Sequence, residues 1–90
     1  MAYRLAYHPS VRSDLVRITT PMQRRIQRGI ETRLTDSPER FGEPLAGTLK
    51  GFRKLRVGDY RVVFSVVGDE VRILAIVHRG DAYQRAERRV

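Results

Sequence analysis

Three cationic side chains, those of Lys54, Arg56 and Arg61, have a spacing that brings them onto one face of a predicted β-hairpin. The turn of this hairpin is Gly58-Asp59, a pair that tolerates the positive φ angles of a tight two-residue turn. Side chains alternate between faces along each strand, so the three cations share a face whose neighbouring positions offer no carboxylate. Like charges gathered in this way predict a bound anion, and a phosphate group is the natural candidate.

The pairing of the two hairpin strands follows from counting outward from the turn. Directly opposed residues share a face, which predicts the pairs Val57 with Tyr60, Arg56 with Arg61, Leu55 with Val62, and Lys54 with Val63. The second face of the hairpin is apolar and carries Leu55, Val57, Tyr60, Val62 and Phe64. Such a hairpin needs a hydrophobic layer on its apolar face, so we expect the cationic face to stay open.

A second turn, Gly68-Asp69, leads into a final predicted strand at residues 71–77. Counting across that turn predicts the pairs Ser65 with Arg72, Val63 with Leu74, Arg61 with Ile76, and Tyr60 with Val77. The open face then has an apolar floor that includes Val63, Leu74 and Ile76. By the same count His78 lies on the Arg61 side and Arg79 on the other side. A β-bulge or the end of the strand would return Arg79 to the Arg61 side, and a longer turn would exchange the two.

The chain before the hairpin predicts one strand and two helices. Residues 2–7 indicate a short strand, and Ser10 can cap a helix that runs to about Ile18. A second helix begins at Thr20-Pro21-Met22-Gln23, with Gln23 at the capping-box position, and ends near Asp36-Ser37-Pro38. Its apolar stripe is Met22, Ile26, Ile30 and Leu34, and its arginines indicate a solvated face.

The predicted elements define an α+β fold. Residues 37–48 indicate a loop, and residues 80–90 indicate at most a short helix with a frayed end. The order strand, helix, helix and three strands predicts helices on one face of a four-stranded, largely antiparallel sheet. The length of 90 residues predicts a single domain spanning residues 1–90.

Composition narrows the class of partner. The chain has 18 Lys plus Arg against 10 Asp plus Glu, a net charge of +8, which favours a polyanion such as nucleic acid or an acidic protein. Cysteine is absent, which excludes disulfides and a thiolate metal site. The two histidines are too few for a structural zinc site. No secretory signal or membrane-length apolar run is present, so we expect a soluble, cytoplasmic protein without a membrane partner.

The element order and three short motifs resemble the RelE/ParE superfamily of toxins from type II toxin-antitoxin systems. The motifs are Leu49-Lys50-Gly51 before Lys54-Leu55-Arg56, then Gly58-Asp59-Tyr60-Arg61, then His78-Arg79-Gly80-Asp81-Ala82-Tyr83. The resemblance covers nearly the whole chain and implies a RelE-like fold without a metal or organic cofactor. RelE-branch members cut messenger RNA on the ribosome. The resemblance also implies a cognate antitoxin that binds the toxin. The toxin-antitoxin complex would contact operator DNA only through the antitoxin.

The resemblance implies roles for individual residues in metal-independent RNA cleavage. Lys54 is the candidate base, because the nearby arginines would disfavour its charged form, and Arg61 is the candidate phosphate-binding group. Arg79 would stabilise the transition state, and Tyr83 would stack on a nucleotide base. Arg53, Arg56 and His78 are candidate RNA contacts.

Several of these residues also have simpler explanations. Lys54 is equally explained as a solvated strand residue, and Tyr83 as an aromatic that packs the tail onto the sheet. RelE-branch enzymes place lysines two apart on this strand, whereas the earlier position here is Phe52, with Arg53 beside it directed to the other face. Two alternatives therefore stay open: a ParE-type inhibitor of DNA gyrase with the same fold, and an inactive relative that acts only as an antitoxin-binding or regulatory subunit.

Overall fold

The computed structural model describes residues 2–81 and 83–90, which form a sheet, two main helices and several short helical turns. The strands are β1 (Arg4–Tyr7), β2 (Glu43–Pro44), β3 (Arg53–Val57), β4 (Tyr60–Val67) and β5 (Glu70–His78). The α-helices are α1 (Val11–Val16), α2 (Thr20–Gly29), α3 (Pro38–Phe41) and α4 (Gln84–Glu87). A π-helical segment (Ile30–Leu34) continues α2, and a 3₁₀ turn (Gly47–Leu49) precedes β3.

The sheet formed by the described residues has the strand order β1–β5–β4–β3–β2. Strand β1 is parallel to β5, and all other neighbours are antiparallel. The predicted α+β class is confirmed, but the prediction of four strands is one short. The stretch predicted as a loop contributes β2, in which Glu43 and Pro44 pair with Lys54 and Arg53. A proline is tolerated there because β2 is an edge strand, and two residues are too few to show an alternating pattern.

Helices α1 and α2 cover one face of the sheet, as the sequence predicts, with α1 against β5 and α2 against β3. Their buried side chains share a core with the apolar face of the hairpin: Val11, Ile18, Ile26, Ile30, Leu34, Leu55, Val57, Val62 and Phe64. The capping-box role expected for Gln23 is wrong, because its Nε2 donates to the Leu15 and Ile18 carbonyls at 2.7 and 2.8 Å. Gln23 thereby provides a hydrogen-bond donor for carbonyl groups at the C-terminal end of α1. No helix in the described part of the chain combines the length and hydropathy that crossing a bilayer requires.

The face of the sheet opposite helices α1 and α2, which we call the second face of the sheet, also carries Lys54, Arg56 and Arg61. It is partly covered, which corrects the expectation of a fully open surface. Val63, Leu74, Ala75 and Val77 are buried there together with Leu49 and Ala86, and Leu45, Phe52 and Tyr83 pack at the margin. The cover consists of the 3₁₀ turn and the short helix α4. The open part of this face is therefore displaced from the middle of the sheet toward β3 and the β3–β4 turn.

A β-bulge between β4 and β5 changes the predicted register. Ser65 pairs with Arg72 as expected, but the ladder shifts at Val63/Phe64, so that Val63 faces Ala75 and Phe64 faces Ile73. Leu74 is the additional residue on β5. Beyond it, Arg61 faces Val77 instead of Ile76, and Tyr60 faces His78. Ile76 consequently belongs to the core beneath the helices, and the prediction that it lies on the floor of the cationic face is wrong.

Gly42 marks a close approach between the segment after α3 and the sheet. A Cβ atom there would collide with the ring of Phe64 and lie 2.9 Å from the Pro38 carbonyl oxygen. The Gly42 backbone, with φ −96° and ψ 137°, suits any residue, so a substitution tests packing alone. We expect Gly42→Ala to lower the free energy of unfolding by about 1–3 kcal/mol, measured by urea denaturation.

The exposed Thr48 provides the control for this substitution. We expect Thr48→Ala to change stability by less than about 0.5 kcal/mol. An equal, small effect of both variants would show that the Phe64 ring yields to the added methyl group, and would contradict the packing argument.

Candidate functional site

Lys54, Arg56 and Arg61 lie on one face of the β3–β4 hairpin, because the hairpin has the predicted register. Lys54 pairs with Val63 and Arg56 pairs directly with Arg61. Gly58, in the turn, has a φ of +58°, the left-handed conformation that glycine adopts without strain. The two strands therefore present three cations on the same side, on the part of the sheet that α4 leaves uncovered.

Lys54 has an anionic neighbour that the sequence analysis did not anticipate. Glu43 lies opposite it on β2, and its Oε2 is 3.9 Å from Lys54 Nζ. The expectation that this face lacks a carboxylate is therefore wrong, because strand β2 was not predicted. The Lys54 side chain is 31% exposed and that of Glu43 is 77% exposed. At this distance the pair is loose and open to solvent, so an incoming phosphate can compete with Glu43 for the ammonium group.

Arg61 is held by the turn of its own hairpin. Its Nη1 donates to the carbonyl oxygens of Gly58 at 3.2 Å and Tyr60 at 3.0 Å. Its Nε and Nη2 make no hydrogen bond to any described residue, so one edge of the guanidinium is available to a ligand. The turn thus orients Arg61 without neutralising it, which is the arrangement that bidentate phosphate binding requires.

The β-bulge decides the positions of His78 and Arg79. His78 lies beside Tyr60, with its ring perpendicular to the Tyr60 ring at 5.3 Å between centroids, so the prediction that it joins the Arg61 side is wrong. Strand alternation then places Arg79 on the Arg61 side. The Arg79 backbone N–H donates to the Asp59 carbonyl at 2.7 Å, and its Nε is 3.3 Å from Asp59 Oδ1. Arg61 and Arg79 thus both attach to the β3–β4 turn.

Tyr83 and Arg53 lie in different surroundings from the three cations on the hairpin face, Lys54, Arg56 and Arg61. Tyr83 is half-buried against the hydrophobic cluster on the second face, where it precedes α4. Arg53 points to the helix-covered face, opposite Phe64, and its Nη1 donates to the carbonyl oxygens of Gly42 and Glu39. The structure therefore places Tyr83 on the same side of the sheet as the three cations and does not place Arg53 there.

A buried ion cluster that was not predicted from the sequence positions α4. Asp14, in α1, has a side chain that is 1% exposed and accepts hydrogen bonds from Arg85, Arg89 and the Ile76 backbone N–H. Strand β1 ends at Tyr7, so the edge of β5 beyond Ile73 has no neighbouring strand. On that edge the Asp14 carboxylate accepts a hydrogen bond from the Ile76 backbone N–H. Arg89 also donates to the Leu74 carbonyl at 3.0 Å. The expectation of a frayed end is wrong for Arg89, whose side chain is 10% exposed.

The protonation of Asp14 reflects two opposing effects. Burial by itself raises the pKa of this carboxyl, but the hydrogen bonds from Arg89, the Ile76 N–H and Arg85, together with the Arg89 charge, outweigh burial and hold the pKa below its ordinary value. The sequence contained one indication of this buried cluster. Asp14 lies three residues after Val11 and four before Ile18, within the apolar stripe predicted for the first helix. A carboxylate in such a stripe requires buried cationic partners.

The chain is similar to known proteins in both sequence and structure. Residues 5–83 match the family described as ParE toxin of type II toxin-antitoxin system, parDE. Toxin RelE from Mycobacterium tuberculosis is 30% identical over 84 residues, which cover 91% of this chain and 87% of that protein. The toxin-antitoxin complex RelBE2 from M. tuberculosis superimposes with a TM-score of 0.82 at 26% identity, covering 90% of this chain and 95% of the other.

A mutant of Escherichia coli toxin RelE in the free state shares the fold, with a TM-score of 0.75, 20% identity, and coverage of 100% and 99% of the two chains. The family match spans the strands, the helical hairpin and the segment that carries Arg79. The chain therefore belongs to the RelE/ParE superfamily and is a toxin of a type II toxin-antitoxin system.

Proposed function

We propose that this toxin is an endoribonuclease that cuts messenger RNA on the ribosome. The observation that carries the proposal is the grouping of cations around the β3–β4 turn. Lys54, Arg56 and Arg61 share one open face, and Arg61 and Arg79 are both anchored to the turn. The relative from M. tuberculosis is named Toxin RelE, which supports the nuclease branch.

The proposed chemistry is attack of a ribose 2′-hydroxyl on the adjacent phosphate. The new bond joins the 2′-oxygen to phosphorus, and the bond from phosphorus to the 5′-oxygen of the next nucleotide breaks. Once the phosphate has displaced Lys54 from Glu43, its ammonium group releases a proton to water, and the resulting neutral amine takes the 2′ proton. Arg61 binds the non-bridging oxygens through its free edge, and Arg79 stabilises the charge on the leaving 5′-oxygen. That oxygen takes a proton from water or a ribosomal group, since an arginine does not release one.

The remaining predicted contacts support positioning of the RNA. The exposed Arg56, directly across the ladder from Arg61, extends the phosphate-binding surface. The half-buried Tyr83, on the same side of the sheet as the cations, would stack on a base through the exposed part of its ring. The roles predicted for His78 and Arg53 receive no support from their positions, because both side chains lie toward the other face of the sheet.

The proposed partners are a cognate antitoxin and ribosome-bound messenger RNA in the cytoplasm. The similar structure from M. tuberculosis is a toxin-antitoxin complex, and so is the RelB-RelE complex from Methanococcus jannaschii, which shares the fold with a TM-score of 0.69 at 22% identity. We expect the antitoxin to supply any contact with operator DNA.

A gyrase inhibitor is the second candidate, and three observations favour it. The matching family is described as ParE toxin, and Lys54 has a carboxylate partner, Glu43, that an efficient base would have to leave. Phe52 also occupies the position at which a second lysine is expected in the nuclease branch. A gyrase inhibitor would use the same cationic surface for binding without any chemical step.

Induction of the toxin in cells that lack its antitoxin distinguishes these candidates. The proposal predicts rapid breaks in messenger RNA, in phase with codons, together with an arrest of translation. A DNA damage response with intact transcripts would overturn the proposal in favour of the gyrase inhibitor. Normal growth at a verified level of folded protein would overturn both and indicate an inactive relative.

A further inference from the structure

A cleft beside the cationic face contains a second concentration of arginines. It lies between α2, its π-helical continuation and β3, and has a volume of about 450 Å³. Its charged lining consists of Arg25, Arg28, Arg33 and Arg56, which we call the arginine cleft. The sequence pattern predicts a solvated face for the helical arginines. The structure instead brings them together with Arg56, which comes from a distant part of the chain.

Glycines at two positions create this cleft. A Cβ atom at Gly29 would lie 3.2 Å from Val57 Cγ2, so α2 approaches β3 more closely than a larger residue would allow. A Cβ atom at Gly58 would lie 3.2 Å from Arg25 Nη1, so the guanidinium of Arg25 rests against the turn. Strand β2 pairs only with Arg53 and Lys54, which leaves the edge of β3 at residues 55–57 uncovered and the cleft accessible.

The charge of the arginine cleft is not balanced by the protein. No aspartate or glutamate lines it, and none of its four guanidinium groups forms an ion pair or a hydrogen bond with another described residue. Among the other described arginines, five have carboxylate partners: Arg4, Arg72, Arg79, Arg85 and Arg89. The cleft is therefore distinguished by the gathering of four unpaired arginines in one place. Four unpaired guanidinium groups in one cleft indicate a ligand with several negative charges.

The position of Arg56 connects this cleft to the cationic face. Arg56 lines the cleft and also lies directly opposite Arg61 in the β3–β4 ladder. Neighbouring strands are about 5 Å apart, so the two cationic regions are separated by little more than one strand. A polynucleotide can follow this track with successive phosphates, which are spaced by a similar distance.

We propose that the arginine cleft binds the phosphodiester backbone of the RNA strand that crosses the cationic face. The strand leaves the face over the uncovered edge of β3, and phosphates away from the cleavage point contact Arg28 and Arg33. This inference rests on the proposed nuclease function and adds to it a second, sequence-independent segment of the substrate path. The cleft increases affinity for long RNA and takes no part in the chemical step.

The test compares two double variants that each remove two positive charges. Arg28→Ala with Arg33→Ala alters the cleft, and Arg17→Ala with Arg24→Ala removes exposed arginines that do not line it. The probes are fluorescein-labelled 2′-O-methyl RNAs, which resist cleavage, of about 12 and about 3 nucleotides. Fluorescence anisotropy gives Kd for each protein over a range of salt concentrations.

We expect the cleft variant to bind the longer RNA about tenfold more weakly, with the slope of log K against log salt reduced by about 1.4, from two lost phosphate contacts on single-stranded RNA. Its affinity for the short RNA should change less than twofold, and the control variant should behave like the unchanged protein with both. Equal weakening by the two variants would overturn the inference, because it would show a general effect of charge.

Failure of the inference can be told apart from failure of the proposed function. If the unchanged toxin cuts messenger RNA but the cleft variant keeps full affinity for the longer RNA, only the inference is overturned. An accompanying loss of antitoxin binding would then assign the cleft to an acidic protein segment. If the unchanged toxin binds neither RNA and leaves transcripts intact, the proposed function fails, and the inference fails with it.

Discussion

Replacing Arg61 with alanine is expected to lower the rate of messenger RNA cleavage by about 10²- to 10³-fold, the loss typical of removing one preorganised group from a developing charge. The Arg61 guanidinium has one free edge directed away from the two carbonyl groups that hold it. Those two hydrogen bonds lie at a half-exposed turn, so the free energy of unfolding should fall by no more than about 1 kcal/mol. Single-turnover cleavage on ribosomes measures the first effect, and urea denaturation the second.

Two further variants sharpen this prediction. Arg61→Lys retains a positive charge without the planar fork, so its rate should lie between those of the unchanged protein and Arg61→Ala. Arg79→Ala should also relieve toxicity, because Arg79 attaches to the same turn through Asp59. Antitoxin binding should persist in all three variants. Full toxicity of both alanine variants would refute the roles proposed for these arginines.

Replacing Asp14 with alanine is expected to lower the free energy of unfolding by about 3–5 kcal/mol, a large share of the stability of a domain of this size. The substitution removes the acceptor for the Ile76 backbone N–H and leaves Arg89, with a side chain only 10% exposed, without its counter-ion. Helix α4 should detach before the sheet unfolds, because Asp14 is its main polar anchor. Hydrogen exchange should show lost protection first in Gln84–Glu87.

Asp14→Asn provides the matched control, since it preserves shape and one acceptor but removes the charge. The folded pKa of Asp14 is lowered, so its contribution to stability is complete above the unfolded pKa of about 3.9 and is lost as the pH falls through the folded value. The stability difference between the unchanged protein and Asp14→Asn should therefore be constant near neutral pH and shrink below about pH 4. A difference that persists undiminished in strong acid would contradict this account of the cluster.

The hairpin that carries the cationic face was predictable because all its determinants are local. Gly58-Asp59 specifies the turn, and the alternation from Lys54 to Phe64 specifies which side chains share a face, since a slip of one residue would expose the whole apolar set. The four predicted residue pairs of β3 and β4 all occur. The second helix of the helical hairpin was equally predictable, because its apolar residues from Met22 to Leu34 recur with a helical period.

The positions of His78 and Arg79 were not decided by local pattern. The bulge at Leu74 inserts one residue into β5, and a single inserted residue exchanges the two faces of every position after it. Both His78 and Arg79 were candidates from their types alone. Only the packing of β5 against its neighbours separates the histidine beside Tyr60 from the arginine at the turn.

By itself, the sequence determined the fold class, the superfamily resemblance and the three cations of the hairpin face, because these depend on neighbours within a few residues. The tertiary structure alone decided that Glu43 meets Lys54, that Asp14 anchors Arg85 and Arg89, and that arginines of α2 join Arg56 in a cleft. Each of these contacts joins residues distant in the chain. Their partners are chosen by strand edges left unpaired and by close approach at Gly29, which no local pattern encodes.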